Sequence, residues 1–113
     1  MTWSRHIKVG NRTYQILSLT GREFDEKLET LGVGSDDISQ AKSFIDYDDQ
    51  MICVRSALKA DHKQELVLHE LLHACLEDAG LEQSDATETF IRALSPRLSS
   101  LMTELKFCLE EIG

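Results

Sequence analysis

The stretch DHKQELVLHELLHACLEDAG, residues 61–80, decides the fold of this 113-residue chain. Asp61 is a good N-cap residue, and Gln64 three positions later completes the pattern of a capping box. Gly80 supplies a C-terminal stop, because glycine readily adopts the left-handed conformation that ends many helices. These signals predict a helix from about residue 62 to about residue 79. The apolar residues that would anchor it to the rest of the fold are Leu71, Leu72, Ala74 and Cys75.

The sequence His69-Glu70-Leu71-Leu72-His73 lies in the middle of this helix. Residues four apart share one helix face, so both imidazoles can direct a nitrogen at one zinc ion, at about 2.0–2.1 Å. Glu70 is rotated by about 100° from His69, so it flanks the metal and can accept a proton from a metal-bound water. A random chain of this composition contains the pattern only about 0.013 times. The motif therefore predicts a zinc site with His69 and His73 as ligands and Glu70 as the catalytic base.

A catalytic zinc site needs a third protein ligand and an open position for water. Ala79 stands six residues after His73, where some longer zinc motifs have a third histidine, so we expect an acid on the next helix instead. A chain reversal after the first helix makes Glu88 the preferred ligand, with Asp85 and Glu82 as alternatives. Because Asp85-Ala86-Thr87-Glu88 also fits a capping box, Glu88 is alternatively a cap of its own helix.

Length and composition set the class of protein. The chain suits a single domain, residues 1–113, and its 42% hydrophobic and 28% charged residues are typical of a globular protein. The formal net charge of −8, with scattered Lys and Arg residues, argues against a nucleic-acid partner. No apolar run approaches the roughly 20 residues that cross a bilayer, and residues 1–10 lack the apolar core of a signal peptide. We therefore expect a cytoplasmic protein without a membrane partner.

The first half of the chain predicts a small antiparallel sheet made of two hairpins. Arg5–Val9 and Arg12–Leu19 are separated by a Gly-Asn pair, a two-residue hairpin turn signal. Ser43–Tyr47 and Gln50–Arg55 are separated by an Asp-Asp pair, a weaker turn signal, and contain several β-branched and aromatic residues.

Two further helices are predicted. Thr20 and Glu23 fit a capping box at the start of the first, and the glycines at positions 32 and 34 end it. The last helix begins near residue 84 or 85, and Pro96 is expected to kink or break it, with Ser95 as a new cap. An apolar seam along it, which we expect to pack within the same chain rather than against a second copy, comprises Ile91, Leu94, Leu98, Leu101, Leu105, Cys108 and Ile112.

The remaining candidate residues have structural interpretations. The three cysteines have apolar flanks and predict buried free thiols in a reducing compartment. They are Cys53, Cys75 and Cys108. His6 and His62 are expected at the surface, and Glu77 is expected to orient a ligand or face water. Tyr47 and Tyr14 are candidate oxyanion stabilisers, although each is interpreted first as a buried tyrosine with a satisfied hydroxyl.

The motif at residues 69–73, together with the helix ETFIRAL at residues 88–94, resembles the zincin metallopeptidases. The nearest likeness is to the ImmA/IrrE-like group and its short phage and prophage relatives, and it covers about residues 43–96. The resemblance implies an α+β fold, a minimal zincin-like domain in which a strand pair precedes the HExxH helix and an acidic ligand stands on the next helix. It implies zinc as the cofactor, with His69, His73 and Glu88 as ligands and Glu70 as the base.

The expected function is hydrolysis of peptide bonds in a peptide or protein substrate. Zinc lowers the pKa of a bound water toward about 7, and Glu70 would accept its proton and pass it to the leaving amine. An extended peptide is expected to add to the strand Gln50–Arg55, which leads into the metal helix. The sequence is also compatible with two alternatives to a peptidase. One is a catalytically silent zinc-binding interaction module of phage or prophage origin, and the other is a metal-free interaction protein.

Overall fold

The computed structural model describes residues 3–112, without the side chains of residues 3, 107, 109 and 112. Within this range the chain is α+β, as predicted. Its strands are β1 (Trp3–Val9), β2 (Arg12–Leu19), β3 (Ser43–Asp46) and β4 (Met51–Arg55). Its helices are α1 (Gly21–Thr30), α2 (Ser35–Gln40), α3 (Ala60–Asp78) and α4 (Asp85–Ile112). None of the described helices combines the length and the apolar character needed to cross a bilayer.

The four described strands form one mixed sheet in the order β1-β2-β4-β3. Both predicted hairpins are present, because β1 pairs with β2 and β3 pairs with β4, each in antiparallel fashion. β2 and β4 run parallel, with Ile16 opposite Ile52, so the prediction of a purely antiparallel sheet is wrong. Parallel neighbours need a crossover connection, which here contains α1 and α2. The two hairpin turn signals in the sequence predict only the antiparallel pairs and give no information about this crossover.

β4 lies inside the sheet, between β2 and β3. Its backbone groups are therefore engaged on both sides, and the prediction that a peptide adds to Gln50–Arg55 is wrong. β3 is the edge strand on this side of the sheet, since within the described residues it pairs only with β4. On this side of the sheet, the edge that can accept another strand is consequently Ser43–Asp46.

Helices cover the two faces of the sheet, and each face has its own apolar core. On one face, Phe24 and Leu28 of α1 and Ile38 of α2 pack with Leu17 and Cys53. On the other face, α3 packs against the sheet. The buried members of this second core are Val9, Tyr14, Ile16, Ile52 and Ala74. The sheet therefore fixes one side of α3, the helix that carries the histidine motif.

α1 begins at the predicted capping box. The Thr20 hydroxyl accepts a hydrogen bond from the Glu23 amide, and the Glu23 carboxylate accepts one from the Thr20 amide. α2 has no signal in the sequence, because this helix is only 6 residues long and Gly34, its N-cap, makes no side-chain capping bond. Short helices of this kind depend on tertiary packing rather than on local signals.

α3 begins without the predicted capping box. Lys59 is the N-cap residue, and its side chain makes no capping hydrogen bond. Asp61 instead lies in the first turn, where its negative charge is stabilised by the positive end of the helix dipole. The predicted capping box of Asp61 with Gln64 is therefore wrong. The predicted stop is confirmed, because Gly80 follows the helix with a φ of 71°.

α4 continues through Pro96 as one helix of 28 residues, about 42 Å long. Ser95 does not cap a new segment, since its buried hydroxyl donates to the Ile91 carbonyl oxygen at 2.6 Å. The predicted break at this position is therefore wrong, because burial of this part of α4 offsets the one amide donor that proline removes. A bend of the helix at Pro96 stays a prediction.

The apolar seam of α4 is covered only in its first part. Ile91 is 2% exposed, whereas Leu101 is 62% and Leu105 is 55% exposed. Cys108 is also exposed, and the side chain of Ile112 lies outside the described part of the chain. The expectation that the whole seam packs within one chain is therefore wrong for its second half.

The three cysteines lie in different environments. Cys53 on the central strand β4 is fully buried, as predicted, and burial raises the pKa of its thiol to about 11. Cys75 and Cys108 are exposed, so the prediction is wrong for both. Apolar neighbours in sequence do not show which face of a helix a residue occupies, because adjacent residues point in different directions.

We predict that two of the three thiols react with a chromogenic disulfide reagent in the folded protein. Cys75 and Cys108 react rapidly because they are exposed, whereas Cys53 is buried and its raised pKa keeps it protonated below about pH 11. Stopped-flow absorbance of the native chain and of the chain in denaturant measures the count. Rapid reaction of all three native thiols would contradict the burial of Cys53.

Tyr14 carries a buried hydroxyl that has no hydrogen-bond partner among the described residues, so the prediction of a satisfied hydroxyl is wrong for this tyrosine. Burying an unsatisfied polar group costs about 1–3 kcal/mol, so Tyr14→Phe is expected to raise the free energy of unfolding by about 1 kcal/mol. Urea unfolding followed by circular dichroism measures this change. Tyr47→Phe is the control, because the Tyr47 hydroxyl accepts a hydrogen bond from Gln83 and its loss lowers stability. A Tyr14→Phe chain less stable than wild type would contradict the expectation.

Candidate metal centre

His69 and His73 lie one turn apart on α3, as the sequence predicts. Their ring centroids are 5.0 Å apart, and their side chains are only 16% and 14% exposed. Both rings turn Nε2 toward the same carboxylate on α4. The two imidazoles therefore converge on one point between the helices, which is the first requirement of a shared metal ion.

Glu88 supplies that carboxylate. Its Oε1 lies 3.2 Å from Nε2 of His69, and its Oε2 lies 2.6 Å from Nε2 of His73. Asp85 and Glu82, the alternatives, are exposed and form no ion pair with either imidazole in the described structure. Of the three acids considered, the structure brings Glu88 to the histidines.

The start of α4 explains why the Glu88 side chain is available. The Ser84 amide donates to the Thr87 hydroxyl at 3.2 Å, and the Thr87 amide donates to the Ser84 hydroxyl at 3.4 Å. This reciprocal pair takes the place of a capping box between Asp85 and Glu88, so that alternative is wrong. The first turn is satisfied without the Glu88 carboxylate, which extends toward α3 instead.

Glu70 is the buried carboxylate of the motif, with 7% of its surface exposed. The Ser43 hydroxyl on β3 donates to its Oε2 at 2.7 Å and holds it beside the histidines. One ligand atom from each of His69, Glu70 and His73 lies within 4.8 Å of the others. Burial, partly offset by Ser43 and the two imidazoles, raises the pKa of Glu70 above its ordinary value. A higher pKa makes this carboxylate a better proton acceptor.

The environment of Glu88 has the opposite effect. Burial alone would raise its pKa, but the hydrogen bond from Arg92 Nε, at 3.0 Å, and the two imidazoles together lower it. Glu88 therefore stays ionised to lower pH than an ordinary glutamate. A metal ligand acts as an anion, so the lowered pKa suits Glu88. A base must take up a proton, so the raised pKa suits Glu70.

Gln83 is a functional candidate that the sequence analysis missed. Its Oε1 accepts a hydrogen bond from Nδ1 of His73, and its Nε2 donates to the Tyr47 hydroxyl at 3.3 Å. Because an amide oxygen only accepts, Nδ1 carries the proton and Nε2 is the atom directed at the metal position. No local pattern marks Gln83, which lies in the loop between α3 and α4; only the chain reversal brings it to His73.

The other sequence candidates lie outside this cluster. His6 is exposed, as predicted, whereas His62 is half-buried in a shallow surface depression at the beginning of α3. Glu77 is exposed and contacts neither His69 nor His73 in the described structure. Tyr47 reaches the centre only through Gln83, so its hydroxyl is satisfied, as predicted.

The cluster forms the floor of an open cleft of about 620 Å³. One wall is the edge strand β3 with the residues before it, and the other is the first half of α4. Glu65 and Leu66 of α3 extend the floor beyond the histidines. The cleft is thus large enough for an extended peptide segment, and it exposes the metal position to solvent from one side.

The donor set fits a divalent transition metal. Two imidazole nitrogens and one carboxylate oxygen are ligand types that Zn²⁺ binds, and they are drawn from two adjacent helices. His73 also has an outer hydrogen-bond partner, which metal-ligating histidines almost always possess. The geometry therefore supports a site of three protein ligands rather than a set of unrelated surface groups.

Comparison of this chain with protein-family models, with curated proteins and with solved structures gives no match. The assignment of the centre therefore depends on its own residues and distances.

We predict that the wild-type chain binds about one zinc ion and that Glu88→Ala weakens this binding by more than about 100-fold, because it removes a ligand. Competition with a chromophoric chelator measures the affinity. Asp85→Ala is the matched control, since Asp85 lies on the same turn of α4 and does not contact the histidines. Wild-type affinity in Glu88→Ala, or a loss confined to Asp85→Ala, would make the ligand assignment wrong.

Gln83→Ala is expected to weaken zinc binding by about 10- to 100-fold, the range found for outer hydrogen-bond partners of metal ligands. Gln83→Glu keeps an acceptor for Nδ1 of His73 and should retain most of the affinity. Glu82→Ala, the adjacent exposed position, is the control. If Gln83→Ala and Glu82→Ala have the same affinity as wild type, the hydrogen bond to His73 does not position this ligand.

Proposed function

We propose that this chain is a zinc-dependent metallopeptidase of the HExxH type that acts in the cytoplasm. The observation that carries the proposal is the convergence of His69, His73 and Glu88 on one point, beside a separate buried carboxylate, Glu70. The zincin-like arrangement inferred from the motif is supported by the order of elements. A strand pair precedes the motif helix, and the acidic ligand stands on the helix that follows.

His69, His73 and Glu88 would hold the zinc ion, which when bound supplies Lewis acidity for activating water and polarising a carbonyl. Glu70 accepts a proton from the attacking water, and its raised pKa favours this transfer. The Ser43 hydroxyl keeps one Glu70 oxygen occupied, so the other oxygen is the one presented to the proton. Glu70 then returns the proton to the leaving amine.

The substrate in this proposal is an extended peptide paired with β3. This strand lies at the sheet edge and lines the same cleft as the histidines. A peptide that adds to Ser43–Asp46 gains backbone hydrogen bonds, and its carbonyl groups pass the floor of the cleft. Ser43 thus contributes both to the wall of the cleft and to the position of Glu70.

The shape of the site favours an enzyme over a structural zinc module. A structural zinc site is closed by a fourth protein ligand. Among the described residues, the groups that meet at the centre are the two histidines, Glu70 and Glu88, and Glu70 is bonded to Ser43 instead. The side chains at the centre line an open cleft, so a zinc ion held by three protein ligands would be accessible to water.

Glu70→Gln tests the proposal. This change removes the proton acceptor but keeps the size of the side chain, so we expect cleavage of a random library of fluorescence-quenched peptides to fall by about 10²- to 10⁴-fold with zinc affinity retained. Glu65→Gln is the matched control, because Glu65 lines the same cleft on α3 and contacts no metal ligand in the described structure.

Two results would overturn the enzyme proposal. Cleavage that survives in Glu70→Gln would show that Glu70 is not the base. A zinc-loaded wild-type chain that cleaves no peptide of the library would favour the silent zinc-binding module, since its metal site would be intact without turnover.

A further inference from the structure

A second concave surface lies on the other side of α3 from the metal cleft. It is an apolar groove of about 610 Å³ between α3 and the β1–β2 side of the sheet. Its main apolar residues are Ile7, Ile16, Val67, Leu68, Leu71 and Met102. Of the sheet residues that line the groove, Ile7 is 38% exposed, whereas Ile16 and Val54 form its buried floor.

In the described part of the chain, the end of α4 extends past α3, the helix that α4 packs against. Thr103 lies beside the beginning of α3, so the following residues 104–112, which we call the overhang, extend beyond the rest of the fold. Leu105 within the overhang is 55% exposed, and Leu101 and Met102 just before it are 62% and 53% exposed. Large contiguous apolar surfaces of this kind mark contact sites.

The groove and the overhang are continuous. Met102 borders both the groove and the apolar surface of the overhang around Leu105. Two copies related by a two-fold axis near Met102 would have antiparallel α4 helices, with the overhang of each copy along the groove of the other. Such an interface is self-complementary, and every contact occurs twice.

The charges of the two surfaces are complementary. Lys63 lines the groove, is half-buried and has no ion-pair partner among the described residues. Lys59 precedes the same end of α3. The overhang carries three exposed glutamates, Glu104, Glu110 and Glu111, against one lysine. Lys63 is the one charged side chain among the described residues that line the groove, so its charge favours an acidic helix as the partner.

We propose that two copies of this chain form a homodimer in which the overhang of each occupies the apolar groove of the other. The interface lies on the face of α3 opposite to His69 and His73, so it leaves the metal cleft open. It is independent of the proposed peptidase activity. Sedimentation velocity and light scattering on the zinc-loaded chain, over a range from micromolar to millimolar, should detect a concentration-dependent dimer.

Leu105→Glu places a charge in the apolar contact and should weaken dimerisation at least about tenfold. Thr103→Glu adds the same charge about half a turn away on the helix and should leave dimerisation unchanged. Circular dichroism and thermal unfolding, in which both variants should match the wild-type chain, show that each is folded. Ile7→Glu changes the groove instead of the overhang and should weaken dimerisation to a similar extent.

A mixing experiment separates this arrangement from a simple pairing of two α4 helices. Leu105→Glu retains an intact groove, and Ile7→Glu retains an intact overhang, so their mixture should form a heterodimer with one intact contact and associate more tightly than either variant alone. A wild-type chain that remains monomeric at millimolar concentration overturns the proposal. A mixture no tighter than its components also overturns it, because overhangs would then pair with each other.

Discussion

The contact of the Glu88 carboxylate with the two imidazoles of α3 holds the second half of the fold to the first. Nε2 of His69 lies 3.2 Å from one oxygen of Glu88, and Nε2 of His73 lies 2.6 Å from the other, so a single carboxylate joins the two helices. In the proposed metal site the same three side chains bind the ion and join α4 to α3, so the proposal links metal binding to the docking of α4.

That contact depends on how the chain reverses between the two helices. Gly80 ends α3 in the left-handed conformation, and the Ser84–Thr87 pair satisfies the first turn of α4 without using Glu88. The loop between them contributes Gln83, which holds the ring of His73. A short loop thus sets three properties of the centre at once: the position of α4, the availability of the third ligand and the proton-bearing nitrogen of one histidine.

Local periodicity explains which parts of the centre could be predicted. His69, Glu70 and His73 share one helix, so their mutual geometry follows from the helical repeat alone. The prediction of Glu88 required one further inference, a tight chain reversal after α3, and the helix stop at Gly80 indicated that reversal. Ser43 and Gln83 lie 27 and 10 residues from their partners, and no local pattern marks a hydrogen bond over such separations. The parallel pairing of β2 with β4 was not predicted for the same reason, because packing across a crossover determines it and no local turn does.

The length of α4 shows how tertiary packing limits a pattern in sequence. Its apolar seam is regular enough to predict burial from end to end, yet Leu101 is already 62% exposed, and α3, with 19 residues against the 28 of α4, is too short to lie beside the end of α4. An antiparallel partner cannot cover what extends beyond its own end. Periodicity therefore predicts that a face is apolar, while the length of the neighbouring helix decides how much of that face the same chain can bury. Leu105 lies beyond that limit, and its burial requires a surface from outside the fold of one chain.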